Sequence, residues 1–393
     1  MAPAIKMQEF LERASWIRKM FEEGARRKKL YGVENVYDFS LGNPNLDPPQ
    51  RFREVLKDLA GNPRPSQHAY MPNAGLPRTR QAVADYLSRE HGLRFGMEDI
   101  VMTCGAGGAL NVIFKALLNP GEKVIFPAPY FVEYNFYVDN HGGIPVSVET
   151  DEGFLLDLRE IEAAIDHNTK AVLINSPNNP TGRVYPEEQI LLLGELLRSK
   201  SKEFGTTIYL VADEPYRKLV YDDISVPSIF RSYQNTILAT SFSKDLSIPG
   251  ERIGYIAISP ESEFRETLSA TLVLANRILG FVNAPAFMQW VLPDLLDESV
   301  DVNVYKRKRD MLAHALKGFG YELHIPEGAF YLFPKSPIED DVKFVGLLQE
   351  ENILVVPGSG FGRPGYFRIA YCVDDRTIEG SLPGFKRVIE GIR

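Results

Sequence analysis

Short apolar runs alternate with longer amphipathic segments through the middle of the chain. The runs are rich in β-branched residues and lie at 123–126, 171–175, 208–212, 236–240 and 253–258. Segments with helical spacing lie between several of them, such as 108–118 and 187–198. Strands that are apolar along their whole length are buried on both faces, as in parallel sheets covered by helices. The pattern therefore predicts an α/β fold with a mostly parallel central sheet.

The pattern changes after about residue 285. A long helical stretch runs through 305–309, and shorter β-like runs follow at 329–333, 353–356 and 366–370. Near the N-terminus, apolar residues recur at helical spacing up to about Leu30, and a proline-rich stretch follows at 43–49. We expect a large domain over 48–285 and a smaller α+β domain formed by 1–47 together with 286–393.

Composition and charge argue against several classes of protein. The 393 residues carry 44 Lys and Arg against 52 Asp and Glu, a net charge of −8, which is a poor match to a nucleic-acid binder. The two cysteines, Cys104 and Cys372, are too few for a disulfide framework and lack metal-ligand spacing. Residues 1–10 contain no apolar h-region, so we expect no secretory signal. The apolar stretch 278–292 is too short to span a bilayer, and we interpret it as one buried or interfacial helix. We expect a cytoplasmic protein without a metal or a membrane partner.

Two charged residues follow predicted strands at the edge where ligands of α/β sheets bind. Asp213 ends one apolar run, and such a carboxylate is costly to bury unless it meets a cation or hydrogen-bond donors. Lys244 leaves another run, and burial would lower its pKa and keep the amine nucleophilic. Taken alone, Asp213 also fits a helix N-cap before Pro215, and Lys244 also fits a solvated lysine.

Two loops carry further polar signals. The run 176–182, Ser-Pro-Asn-Asn-Pro-Thr-Gly, is rigid and rich in turn residues. The run 103–110 contains three glycines before an apolar helix, so backbone N–H groups could approach an anion at a helix N-terminus. The second run is neither G-x-G-x-x-G nor a P-loop, and by itself it is a weak phosphate signal.

In this order and spacing, the motifs resemble the class I/II aminotransferases, the fold-type I enzymes that use pyridoxal phosphate. The resemblance runs from about Asp38 to Cys372 and implies a central sheet of the seven-stranded type. Its anchors are Asn178-Asn179-Pro180-Thr181-Gly182, Asp213-x-x-Tyr216, Ser241-x-Ser243-Lys244 with Arg252, and Phe367-Arg368-Ile369-Ala370.

The resemblance implies roles for the residues around the cofactor ring. Lys244 would form the internal aldimine and move the proton between Cα and C4′, and Asp213 would pair with the protonated pyridine nitrogen. Tyr216 and Asn179 would hydrogen-bond the phenolic oxygen. Phe131 would stack on the ring, with the neighbouring Tyr130 as the alternative.

The resemblance also implies the remaining contacts. The cofactor phosphate would be bound by Gly105, Ala106, Gly107, Ser241, Ser243, Arg252 and, across a homodimer interface, Tyr70. Arg368 and Asn179 would bind the substrate α-carboxylate, and Gly42 lies in the loop that closes over the substrate. In an aspartate-specific branch of this family, a lysine that binds the distal carboxylate of the substrate would fall at the position of Gly107. The absence of that lysine, together with the aromatic residues nearby, favours neutral amino donors.

The implied function is amino transfer between an amino acid and a 2-oxo acid by a ping-pong mechanism in a homodimer with a shared active site. An alternative on the same cofactor is a C–S lyase or another β-eliminating enzyme, because the cofactor residues would be the same. A non-catalytic ligand-sensing module is a further alternative. A nucleotide-binding protein that uses the glycines at 105–108 would leave Asp213, Lys244 and Arg368 without a role.

Overall fold

The computed structural model describes residues 4–12 and 16–392. Their helices are α1 Ile5–Glu12, α2 Trp16–Tyr31, α3 Gln50–Gly61, α4 Pro77–His91, α5 Gly105–Leu117, α6 Glu133–Asp139, α7 Leu158–Ala164, α8 Glu187–Phe204, α9 Arg265–Ile278, α10 Ala286–Val291, α11 Val302–Phe319, α12 Asp341–Glu350 and α13 Asp375–Ile392. Their strands are β1 Tyr37–Asp38, β2 Ile100–Thr103, β3 Lys123–Ala128, β4 Ile144–Glu149, β5 Thr169–Asn175, β6 Tyr209–Asp213, β7 Thr236–Ser241, β8 Gly254–Ile258, β9 Tyr331–Leu332, β10 Ile353–Leu354, β11 Val356–Pro357 and β12 Phe367–Ala370.

A seven-stranded sheet forms the centre of the molecule, in the order β2-β8-β7-β6-β5-β3-β4. Strand β8 runs antiparallel to both of its neighbours, and the other paired strands are parallel. The mostly parallel sheet expected from the sequence is thereby confirmed. The five predicted strands correspond to β3, β5, β6, β7 and β8 with ends shifted by at most two residues, whereas β2 and β4 were not predicted.

Both faces of this sheet are buried, because alternate residues of its inner strands enter two different hydrophobic clusters. In β6, Leu210 and Ala212 pack into the cluster that contains residues of α3, α4 and α8. Tyr209 and Val211 pack on the opposite face, into the cluster that contains residues of α5 and α9. This explains why these strands are apolar along their whole length.

The expectation of one helix over 278–292 is wrong. Helix α9 ends at Ile278, and α10 begins only at Ala286. Gly280, with φ +86°, has the left-handed conformation that commonly ends helices, and Pro285 directly precedes α10. The stretch is therefore a helix end, a turn and a short second helix.

The C-terminal part contains a three-stranded antiparallel sheet in the order β11-β12-β9. Strand β1 pairs in parallel with β10, which attaches the N-terminal segment to this part. The helical stretch predicted through 305–309 lies in α11. The domain boundaries at residues 48 and 285 remain a prediction.

Three polar residues end neighbouring strands at one edge of the central sheet. Asn175 ends β5 opposite Asp213, the last residue of β6, and Ser241 ends the neighbouring strand β7. These three strands are parallel, so their carboxyl ends meet at this edge. The edge is the place where ligands bind in α/β sheets.

Because the inner strands are buried on both faces, we expect truncation of a side chain to lower the free energy of unfolding much more at a central position of the sheet than at an edge position. Ile256 of β8 is fully buried, whereas Ile144 of the edge strand β4 is 45% exposed. We expect Ile256→Ala to lower the free energy of unfolding by about 2–5 kcal/mol, because it leaves a cavity in the core. Ile144→Ala is the matched control and should cost less than about 1 kcal/mol. Urea unfolding followed by circular dichroism measures both, and equal losses would contradict this account of the core.

Candidate active site

A cavity of about 270 Å³ lies at the carboxyl edge of the sheet, between the sheet and the C-terminal part. Twelve of the residues singled out from the sequence line it: Gly42, Ala106, Gly107, Phe131, Asn179, Asp213, Tyr216, Ser241, Ser243, Lys244, Arg252 and Arg368. Residues that are up to 326 positions apart in the chain therefore meet around one space.

Three residues singled out from the sequence do not line the cavity. Gly105 lies beneath Arg252, where a Cβ would be 3.0 Å from the guanidinium, and its φ of +74° also favours glycine. Tyr70 lies elsewhere on the surface and is 93% exposed. Tyr130 packs its ring against Phe126 at 4.6 Å between centroids, so Phe131 is the better placed of the two aromatic residues.

Lys244 projects its amine into the cavity from the turn after β7. Its Nζ donates a hydrogen bond to the carbonyl oxygen of Gly42 at 2.8 Å. The same atom lies 5.9 Å from the ring centre of Tyr216 and 5.6 Å from that of Phe330. Burial lowers the pKa of Lys244 to about 8, so a larger fraction of this amine is neutral and nucleophilic near pH 7 than for an exposed lysine.

Asp213 is a buried carboxylate with only one of its two oxygens satisfied. Its Oδ2 accepts a hydrogen bond from the hydroxyl of Tyr134 at 2.6 Å, whereas Oδ1 has no partner among the described residues. Burial raises the pKa of Asp213 to about 7. An unsatisfied buried oxygen is costly, and a ligand N–H at this point would remove that cost. The protonated pyridine nitrogen of pyridoxal phosphate is a donor of this kind.

The N-terminus of α5 faces the same cavity with residues suited to an anion. Ala106 and Gly107 lie in its first turn, and unpaired backbone N–H groups and the helix dipole favour negative charge there. Ser241, Ser243 and Arg252 add side-chain donors. These residues fit a phosphate group.

Arg368 is a second buried group with unused hydrogen-bonding capacity. Only 1% of the residue is exposed, and its guanidinium lies 4.8 Å from the ring centres of both Tyr331 and Phe361. It donates to Asn179 Oδ1 at 3.1 Å and to the carbonyl oxygen of Ser40 at 2.5 Å, while its Nε has no partner within the part of the chain that the structure describes. A carboxylate is the ligand that matches a planar guanidinium best.

The structure adds residues that the sequence analysis did not assign. Tyr134 has no assigned role in the sequence analysis, yet its hydroxyl donates a hydrogen bond that holds Asp213 in place. Tyr331 lines the cavity, and its hydroxyl lies 2.7 Å from that of Tyr216. Asn175 donates to the Asp213 carbonyl oxygen at 2.7 Å and accepts from the backbone N–H of Asn179. Its position as the last residue of a predicted strand was a signal that could have identified it.

Comparisons with known proteins identify the family of the chain. The family model for aminotransferase class I and II matches residues 34–382. The probable aspartate/prephenate aminotransferase of Aquifex aeolicus is 33% identical, with 94% of each chain covered. An aminotransferase structure from Eubacterium rectale superposes with a TM-score of 0.96 at 41% identity, covering 100% of this chain and 99% of that one. Aspartate aminotransferase from Thermus thermophilus with maleate gives 0.87 at 29% identity, covering 99% and 100%.

The chain belongs to the class I and II aminotransferases. It is an aminotransferase that depends on pyridoxal 5′-phosphate, with amino acids and 2-oxo acids as substrates. Within residues 4–12 and 16–392, no helix has the length and apolarity needed to cross a membrane.

The burial of Asp213 predicts that the free energy of unfolding of the cofactor-free protein depends on pH. The pKa of this carboxyl rises from 3.8 to about 7 on folding, so between these values the folded chain holds a proton that the unfolded chain has lost. The stability contributed by Asp213 is therefore complete below about pH 4 and falls as the pH rises towards 7.

Asp213→Asn removes this titration while keeping the shape of the side chain. We expect the variant to gain stability relative to the wild type between about pH 4 and pH 7, by at most about 1.4 kcal/mol per pH unit. Urea unfolding of both cofactor-free proteins across this range measures the difference. A difference that stays flat, or that reverses its sign, would contradict the assigned cause.

Proposed function

We propose that this enzyme transfers the amino group by a ping-pong reaction in which Lys244, Asp213 and Arg368 act on one substrate in one cavity. The observation that carries the proposal is the partnerless Oδ1 of Asp213 in the same cavity as the buried Lys244 amine. When bound, pyridoxal phosphate supplies an electron sink for the charge that develops at the substrate Cα.

Asp213 would hold the ring nitrogen through Oδ1 and keep it protonated. The carboxylate is fixed for this task from two sides, because Tyr134 donates to Oδ2 and Asn175 donates to the backbone oxygen of the same residue. A ring N–H opposite Oδ1 would also favour the charged carboxylate and so reverse part of the rise in its pKa that burial causes.

Lys244 would serve first as the covalent anchor of the cofactor and then as the base that takes the proton from Cα. A pKa of about 8 suits both tasks, because general bases act best when their pKa lies near the working pH. Its present hydrogen bond to the Gly42 carbonyl must break before the amine can reach either position.

Arg368 would bind the substrate α-carboxylate, with Asn179 beside it. The guanidinium now donates to the Ser40 carbonyl, and an incoming carboxylate would replace that neutral acceptor with a charged one. Ser241, Ser243, Arg252 and the first turn of α5 would bind the cofactor phosphate, and Phe131 would cover the ring.

We further propose a cytoplasmic homodimer in which the active site is shared. Tyr70 supports this, because a tyrosine that is 93% exposed and does not line its own cavity is free to contact another chain. In this arrangement, the cofactor phosphate would receive a hydrogen bond from Tyr70 of the partner subunit. No feature of the cavity favours β-elimination over transfer.

Lys244→Ala should stop the reaction. We expect the half-reaction with an amino donor to slow by at least about 10²-fold, the lower range for loss of a general base, and the visible absorbance of the lysine-bound cofactor to disappear. The matched control is Lys57→Ala, an exposed lysine on α3. Stopped-flow absorbance measures the half-reaction, and a Lys244→Ala protein that transfers amino groups at the wild-type rate would refute the assignment.

Tyr70→Phe tests the shared site. The loss of one hydrogen bond to a charged phosphate should raise the Kd for pyridoxal phosphate about 10-fold or more. Tyr31→Phe, a half-exposed tyrosine on α2, is the control. Light scattering should give the mass of two chains for all three proteins. A monomeric wild type, or an unchanged Kd in Tyr70→Phe, would contradict the shared site.

A further inference from the structure

A second cavity, of about 710 Å³, borders the active-site cavity on the side of the N-terminal helices. We call it the outer pocket. Ile17, Leu41, Phe131 and Tyr137 line both cavities, so the two spaces lie next to each other. The outer pocket is therefore the neighbouring space towards which the side chain of a substrate held by Arg368 could extend.

The walls of the outer pocket are mainly apolar. Helices α1 and α2 contribute Phe10, Leu11 and Phe21, and α6 contributes Phe136 from the other side. The rings of Phe10 and Phe136 meet edge to face at 4.9 Å between centroids. Lys6 on α1 also pairs with Asp139 on α6 at 2.5 Å, so α1 is attached to α6 at two points. The pocket thus has a defined apolar wall where a substrate side chain could lose contact with water.

The charges around the two cavities disfavour a second carboxylate on the substrate. Arg18, on the outer pocket, has a side chain that is 70% exposed and is paired with Glu22 at 2.9 Å. Glu133 also lines the pocket, and burial raises its pKa. A second carboxylate on the substrate would therefore come close to Glu133. The described residues that line the pocket include no unpaired cation that would offset this repulsion.

In the active-site cavity itself, the cations already have tasks under the proposed function. Lys244 would bind the cofactor, Arg252 its phosphate and Arg368 the α-carboxylate. Position 107, at the first turn of α5, is a glycine and contributes no charge. Among the described residues that line the two cavities, Arg18 is therefore the one cation without a task at the cofactor or the α-carboxylate, and it is paired with Glu22.

We propose that the outer pocket receives the side chain of the amino donor, and that the preferred donors are amino acids with large apolar or aromatic side chains. This inference rests on the proposed function, because it requires a substrate anchored by its α-carboxylate at Arg368. Burial of apolar surface against Phe10, Phe21 and Phe136 would supply the preference.

A second copy of the chain is the competing occupant of this space. Leu11 is 66% exposed and Phe21 is 49% exposed, and exposed apolar residues also occur at interfaces between proteins. The position of the outer pocket next to the reacting cavity favours the substrate, since an interface would not need to share Ile17 and Phe131 with the active site.

The first test measures kcat/KM of the holoenzyme for phenylalanine, leucine, alanine, aspartate and glutamate, with a common oxo-acid acceptor. We expect phenylalanine and leucine to exceed aspartate and glutamate by at least about 10-fold, the lower effect of one methylene in an apolar pocket. Equal or higher values for the two dicarboxylates would overturn the inference. If the cofactor binds and no donor is converted, the proposed function itself fails, which is a separate outcome.

The second test changes the pocket and leaves the reacting centre intact. Phe21→Ala should lower kcat/KM for phenylalanine about 10-fold and leave alanine unchanged, because a methyl side chain does not extend into the outer pocket. Leu30→Ala is the matched control, since Leu30 lies on the same helix, is 61% exposed and is outside the pocket. The unchanged rate with alanine also shows that the variant is folded.

Light scattering on the same variants separates the two occupants. The inference predicts an unchanged oligomeric state for Phe21→Ala together with the loss of preference for phenylalanine. A variant that dissociates, while its ratio of rates for phenylalanine and alanine stays at the wild-type value, would overturn the inference and assign this face to an interface between copies.

Discussion

The chain keeps a carboxylate in its interior with one oxygen unsatisfied, and much of the site is arranged around that residue. Asp213 ends a strand in the middle of the sheet, so the backbone cannot move it towards water without breaking pairs on both sides. The strand order places Lys244 just beyond the neighbouring strand β7. A ligand with an N–H donor in the ring plane and an aldehyde at its opposite side would satisfy both residues at once under the proposed function, and pyridoxal phosphate has both groups.

The N-terminal segment provides temporary partners for the charged groups of the site. The carbonyl oxygens of Ser40 and Gly42 accept hydrogen bonds from Arg368 and Lys244, the two cationic side chains that would act on substrate. Burying these cations without any acceptor would be costly. Cofactor and substrate would therefore exchange one set of hydrogen bonds for a stronger one, and the same segment, continuing from α2, forms a wall of the outer pocket.

Much of the fold could be predicted from the sequence, and the exceptions have physical reasons. Strand β4 lies at the edge of the sheet with only Val148 buried, so it lacks the continuous apolar run of the inner strands. Within the site, the motifs identified residues near strand ends, whereas the bond between Tyr134 and Asp213 joins positions 79 apart and depends on how α6 packs on the sheet. The choice between Tyr130 and Phe131 likewise needed the three-dimensional arrangement.

The account depends most on one ring contacting both Asp213 and Lys244, and a crystal structure of the protein grown with pyridoxal phosphate tests this most directly. We predict that the ring nitrogen lies about 3 Å from Asp213 Oδ1, the hydrogen-bond distance, and that C4′ is bonded to Lys244 Nζ. A cofactor bound elsewhere, or a ring that reaches one of these side chains and leaves the other beyond hydrogen-bond distance, would contradict the account.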